Sequence, residues 1–275
     1  PARASRERLS TILVAVGHYW EGKAHRDNQA LCATLARNGF LAATYDPMCQ
    51  GERDEFPPEQ FPQYASEREK EDMWVVAQHM LVGDLSYLLG ESSAKYYIWD
   101  AIRVLDYLFE RSDVRTDTVG CVGQSGGGTL TYYLAALDSR IHAYMPIQCL
   151  SPYEISIKNG IADPEQSVLG LWQGGFEMAD FLWMAAPKPI CISAGSRDYF
   201  SAAGARLIHE EIQQLYSRLG FADNVEYFES DTGHALSAEP RAACYEWFSR
   251  RFHDAPPAPE RHVELLAEDD LHCLS

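Results

Sequence analysis

One serine in this chain stands among glycines. Gly123, Gly126, Gly127 and Gly128 bracket Gln124 and Ser125 in the stretch TVGCVGQSGGGTLTYYLAALD (118–138). Glycine loses more conformational entropy on folding than any other residue, so such a cluster needs a geometric reason. A G-x-S-x-G motif between an apolar strand and a helix supplies one. On a sharp strand-to-helix turn the hydroxyl stands exposed, and side chains on the flanking residues would strike the backbone. A serine hydroxyl becomes a useful nucleophile only when a base takes its proton and an acid orients that base. Asp198 in SAGSRDYF and His234 in SDTGHALS follow in that order, each just past an apolar run. The chemistry this predicts is acyl transfer, with Ser125 as nucleophile, His234 as general base and Asp198 as its orienter. The amide of Gly126, at a helix N-terminus, would face the developing oxyanion.

Competing readings of these residues are weaker. A phosphate-binding P-loop needs Lys-Ser/Thr after the glycines, which is absent. A dinucleotide fingerprint needs G-x-G-x-x-G, which GQSGGG does not meet. Asp198 could instead cap the helix that starts near Ser201. Asp231, three residues before His234, is a rival acid but reads better as a turn residue. His79, His142, His209, His253, His262 and His272 fall in helix, strand or tail contexts and read as packed or solvated; His25, in a polar loop, takes no assignment. The loop AVGHYWEGKAH (15–25) should supply the second oxyanion donor, an amide of His18 or Tyr19, with Tyr19 favoured. The rings of Tyr19 and Trp20 either pack beneath that loop or wall the pocket. His18, Trp20, Gln124 and Trp172 are the candidates for substrate contact.

These side chains need a frame. Short apolar runs bounded by Gly, Pro or Asp predict strands at 11–16, 40–45, 118–123, 142–147, 189–195 and 225–230. Helical patterns alternate with them: 28–39, opening on Asn28 as a plausible N-cap, then 94–111, 201–220 and 239–252. Strands alternating with helices predict an α/β fold, a mostly parallel sheet covered on both faces. All three candidate residues then emerge at strand C-terminal ends, on one edge of the sheet. Residues 47–64 form a Pro-rich polar excursion. Residues 150–188 form an insertion (a lid) before the acid-bearing strand, and such insertions carry binding walls. Its Tyr153, Trp172, Phe176, Phe181 and Trp183 make either an aromatic wall suited to sugar rings or a small core of the lid itself. The catalytic domain is expected over 1–253 and a Pro-rich, then acidic, tail over 254–275.

Composition narrows the class. Hydrophobic content of 46% and aromatic content of 12% exclude bulk disorder. A net charge of −17 disfavours nucleic acid, whose phosphates are held by clustered Lys and Arg. No run of 18 apolar residues occurs, so no membrane-spanning helix is expected, and PARASRERLS lacks the apolar core of a signal peptide. Seven irregularly spaced cysteines without a CxxC pair signal no metal site. Cys32, Cys121, Cys191 and Cys244 read as buried hydrophobes, whereas Cys49, Cys149 and Cys273 leave a disulfide open. The expected chemistry requires no cofactor or metal.

GHYWEGKA, YDPMCQGERDEF, CVGQSGGGTLTYYLAALDSRI, ADPEQSVLG, APKPICISAGSRDYF and GHALSAEPRAACYEWF together span nearly all of residues 11–252. Through them the chain resembles the α/β-hydrolase superfamily, in its acetylxylan-esterase-like and dienelactone-hydrolase-like branch. The resemblance implies the same triad of Ser125, Asp198 and His234, and hydrolysis of short acyl (acetyl-type) esters, carbohydrate esters among them. Two departures stand out. Family domains usually carry one or two antiparallel strands before the run at 11–16, so those strands are missing or the chain is an excerpt. Dienelactone hydrolases proper carry cysteine at the elbow, and serine points toward ordinary esters. The alternatives are a non-catalytic binding or scaffolding protein, or a peptidase or amidase, on the same fold.

Overall fold

The computed structural model describes residues 8–56, 71–161, 163–168 and 170–274. Its strands are β1 (Leu9–Ala15), β2 (Leu41–Thr44), β3 (Val114–Gln124), β4 (Ala143–Ile147), β5 (Ile190–Gly195) and β6 (Val225–Ser230). They form one sheet in the order β2-β1-β3-β4-β5-β6, with every neighbouring pair parallel. The helices among the described residues are α1 (Arg26–Arg37), α2 (Glu71–Leu88), α3 (Ala94–Glu110), α4 (Gly126–Leu137), α5 (Tyr153–Lys158), α6 (Met178–Trp183), α7 (Ala202–Leu219) and α8 (Ala238–Phe252).

Period-two alternation sends the strand side chains to two cores. Leu13, Cys121, Tyr144 and Ile192 pack under α3, α4, α6 and α7. Ile12, Val14, Val122 and Met145 pack under α1 and α8 through Leu31, Leu35, Trp247 and Phe248. A parallel sheet buried on both faces reads as near-continuous apolar runs, which is why its strands are visible in sequence.

Three elements differ from expectation. Helix α1 begins at Arg26 rather than Asn28, because the His25 ring caps it: Nδ1 accepts from the Asp27 amide at 3.3 Å. Asn28 lies buried in the first turn and donates to the Gly22 carbonyl at 3.2 Å. Helix α2 has no counterpart among the expected elements. Strand β3 extends back to Val114, pairing there with Leu9.

The insertion between β4 and β5 holds α5, α6 and a 3-10 turn at Trp172–Gly174. Tyr153 joins the core on the α4 side of the sheet and half-buried Phe181 packs against it, its ring 4.9 Å from that of Tyr133. The tail after His253 lies back along α1 and α8. Glu260 pairs with Arg241 at 2.6 Å and accepts from the Tyr245 hydroxyl at 2.7 Å, and the Ala258 amide donates to Asn38 Oδ1 at 2.6 Å. All seven cysteines are free thiols, with Cys49 and Cys149 buried and Cys273 exposed. Among the described residues, no helix is long and apolar enough to cross a membrane.

Candidate active site

Ser125 links the end of β3 to the start of α4. Its φ of 58° and ψ of −124° are rarely adopted by residues with a Cβ and cost about 1–3 kcal/mol. The glycines explain how the turn closes. A Cβ on Gly127 would lie 2.1 Å from the Ala15 carbonyl oxygen, and one on Gly123 would lie 2.4 Å from the Gly127 carbonyl. The Ser125 amide donates to the Ile147 carbonyl at 3.0 Å, tying the turn to β4.

The loops after β5 and β6 bring the other two residues to Ser125. His234 Nε2 lies 2.9 Å from Ser125 Oγ, and His234 Nδ1 lies 2.9 and 3.0 Å from the two Asp198 oxygens. The Asp198 side chain is 0% exposed and accepts from the Phe200 amide at 2.9 Å. An Nδ1–H donating to this carboxylate leaves the Nε2 lone pair facing the serine hydroxyl. Ser201, not Asp198, caps α7, its Oγ accepting from the Gly204 amide at 3.1 Å. Asp231 is engaged elsewhere, with Ser196 Oγ at 2.9 Å and Arg197 Nε at 3.1 Å.

Two buried glutamines hold the loops in register. Gln124 Oε1 accepts from the Tyr19 hydroxyl at 2.9 Å. Its Nε2 donates to Gln148 Oε1 at 3.2 Å and lies 3.1 Å from His234 Nε2. Gln148 in turn accepts from the Ala235 amide at 2.9 Å and donates to the Gly233 carbonyl at 2.8 Å. Gln124, expected to contact substrate, does line the cleft over Ser125, but it is only 2% exposed and its carboxamide already bonds Tyr19 and Gln148. Gln50 does the same for the loop after β1, donating to the Gly17 and Tyr19 carbonyls at 2.6 and 2.8 Å. The Tyr19 amide itself donates to the Gly17 carbonyl at 2.8 Å, which corrects its expected role as oxyanion donor. The Tyr19 ring stacks on His25 at 3.7 Å.

The cleft over Ser125 encloses about 340 Å3. His18, Tyr19, Asp163, Tyr199 and His234 line it, with Met73 and Val76 from α2 and residues 159–161 from the insertion. Trp20 and Trp172, expected at substrate, do not line it. Trp172 is 58% exposed and borders a separate pocket of about 220 Å3 with Tyr153, Ile157 and Leu171. Ile161 is shared by both hollows.

The sequence reading passed over several residues here. The Tyr199 ring sits 4.2 Å from the His234 ring, and burial, then the Asp198 charge, push its hydroxyl pKa up. Burial, then the neighbouring Glu165, raise that of Asp163. Behind Gly126, His18 Nε2 lies 2.7 Å from Glu165 Oε1, and His79 Nδ1 lies 3.5 Å from Glu165 Oε2. Burial opposes ionisation of Glu165, but the two imidazoles outweigh it and hold the carboxyl below its usual range. The one sequence hint was ADPEQ, within the resemblance; His79 had read as packed.

A parallel sheet carrying an elbow serine after β3, an acid after β5 and a histidine after β6 is the α/β-hydrolase fold. Solved structures of esterases share it. The chain is similar to Methylesterase BT1017, with a TM-score of 0.72 and 24% identity over 98% of this chain and 55% of that one. It is also similar to the glucuronoyl esterase from Solibacter usitatus, with a TM-score of 0.61 and 16% identity over 91% of this chain and 75% of that one. In sequence it matches the curated protein "Putative hydrolase YtaP" of Bacillus subtilis (strain 168), 29% identical over 154 residues. That match takes in 55% of this chain and 52% of the relative, so the matched region spans about half the relative's length. No family model matches the chain.

Proposed function

We propose that this chain is a serine carboxylic-ester hydrolase acting through an acyl-enzyme. The observation that carries this reading is the continuous contact from Ser125 Oγ through His234 to buried Asp198, with Ser125 on a strained turn. Ser125 Oγ attacks the ester carbonyl while His234 Nε2 takes its proton. The tetrahedral oxyanion is met by the Gly126 amide, which at the first position of α4 has no intrahelical acceptor. The His18 amide is the candidate for second donor. The leaving alcohol collects the proton from His234, and water activated by the same imidazole releases the acid.

The substrate class proposed is a small ester, of acetyl or methyl type, on a carbohydrate. A cleft of about 340 Å3 admits one sugar-sized unit, at the lower end of ordinary ligand pockets. The polar side chains of His18, Tyr19, Asn159 and Asp163 on its wall suit hydroxyl-bearing ligands. Fluorophosphonate treatment, followed by mass spectrometry of the modified peptide, tests the mechanism. A single adduct on Ser125, lost in His234→Ala, is expected. A folded protein that takes no adduct would instead be a binding protein on this fold.

A further inference from the structure

Apart from the triad, three side chains with metal-ligating atoms converge from separate parts of the chain: His18 after β1, His79 on α2 and Glu165 in the insertion. Their ligand atoms all lie within 4.8 Å of one another. The two rings meet edge to face, at 79° with centroids 4.6 Å apart, beside the Glu165 carboxylate. His79 and Glu165 are 2% and 4% exposed. Among the described residues, neither ring nitrogen of His79 and neither carboxylate oxygen of Glu165 has an aligned hydrogen-bond partner. The contacts are short but not in hydrogen-bonding geometry. A buried carboxylate is costly unless positive charge compensates it, and a cation held between the carboxylate and the two imidazole nitrogens would do so while giving all three groups a partner.

A void of about 20 Å3 is lined by all three, and elsewhere by apolar Val16, Pro47 and Leu130 together with Gln50, Thr129 and the rings of Tyr97 and Tyr133. That is room for about one water-sized sphere. His18 lines both this void and the catalytic cleft, which gives an ion a way in.

We propose that His18, His79 and Glu165 bind one divalent transition-metal ion of the zinc or cobalt type. Two imidazoles and one carboxylate are the donors such borderline ions prefer, and they leave a fourth position open. Metal–ligand distances of about 2.0–2.2 Å place tetrahedral ligand atoms about 3.3 Å apart. The observed spacings, from 2.7 Å up to at most 4.8 Å, bracket that value, so small side-chain rotations complete the site. A Cβ on Gly126 would lie 2.8 Å from His18 Nε2, so the ion sits just behind the oxyanion amide. Its positive field would favour the oxyanion; that consequence, unlike the binding itself, rests on the esterase reading.

The test uses Ser125→Ala protein, so that turnover plays no part. The protein is stripped with chelator, loaded with Zn2+ or Co2+ and freed of excess ion. About one metal per chain is expected, with the visible absorption of four-coordinate Co2+ and a raised Tm. Losing an outer-shell partner alone costs about 10–100-fold in metal affinity, so Glu165→Gln and His79→Ala should each lower it by more than about 100-fold. Circular dichroism checks that both variants fold, and the near-isosteric Glu165→Gln carries the comparison if His79→Ala does not. A folded protein that takes up no ion, with a proton between carboxylate and imidazole in its place, overturns the proposal. So does equal binding by the variants.

Discussion

Ser125→Ala is expected to lower kcat on a small activated aryl ester by a factor on the order of 10^4 to 10^6, with the fold retained. Alanine removes the hydroxyl, 2.9 Å from His234 Nε2, that is proposed to carry the acyl group. The substitution leaves the backbone at φ 58°, however, because alanine has the same Cβ as serine. Ser125→Gly separates the two effects. It should be as inactive as Ser125→Ala but more stable toward urea by about 1 kcal/mol, since glycine adopts this φ without strain. Substantial activity in either variant would remove Ser125 as nucleophile. Equal stability of the two would mean the turn is not strained.

The contact of Ser125, His234 and Asp198 was legible in sequence because each of the three follows an apolar strand, and parallel strands buried on both faces announce themselves. Topology did the rest: strand ends in such a sheet share one edge, so Ser125, Asp198 and His234 converge without any knowledge of the loops. What surrounds them was not legible, for two reasons. Helix α2 went unread although His79, Met73 and Val76 all ride on it, so one wall of the cleft and one side of the His18–Glu165 cluster had no place in the expected frame. Loop side chains fared worse. Tyr19 was chosen for its place in the loop after β1 and Trp172 as an aromatic of the insertion, but their roles depend on where an amide or a ring points. Tyr19 spends its amide on Gly17, Gln124 spends its carboxamide on Tyr19 and Gln148, and Trp172 turns outward. Nothing in local sequence encodes those directions. The residues that hold the site, Gln50 and Gln148, carry no motif at all.

Gly127→Ala should be among the most damaging glycine-to-alanine changes at the described residues. The added carbon would fall 2.1 Å from the Ala15 carbonyl oxygen, 2.7 Å from its carbon and 2.9 Å from the Val16 carbonyl carbon. All three are backbone atoms at or just past the end of the interior strand β1, so no side chain can rotate away. Overpacking that side chains can absorb costs about 1–3 kcal/mol; here either β1 or the first turn of α4 must move, and more than about 3 kcal/mol is expected in urea denaturation. The displaced segments carry Ser125 on one side and the His18 loop on the other. A shift of about 1 Å between them should also lower kcat by about 100-fold or more in the molecules that still fold. Gly120→Ala provides the contrast. Its Cβ would meet Phe248 Cε1 at 2.4 Å and Ile12 Cδ1 at 2.8 Å, both side-chain atoms. Trimming the partner in Gly120→Ala/Phe248→Leu should therefore recover part of the lost stability, while no second substitution at a side chain should rescue Gly127→Ala. If Gly127→Ala matched the wild type in both stability and kcat, the close approach of α4 to β1 would not be what the glycines are there to permit. The explanation given for the cluster around Ser125 would then fail with it.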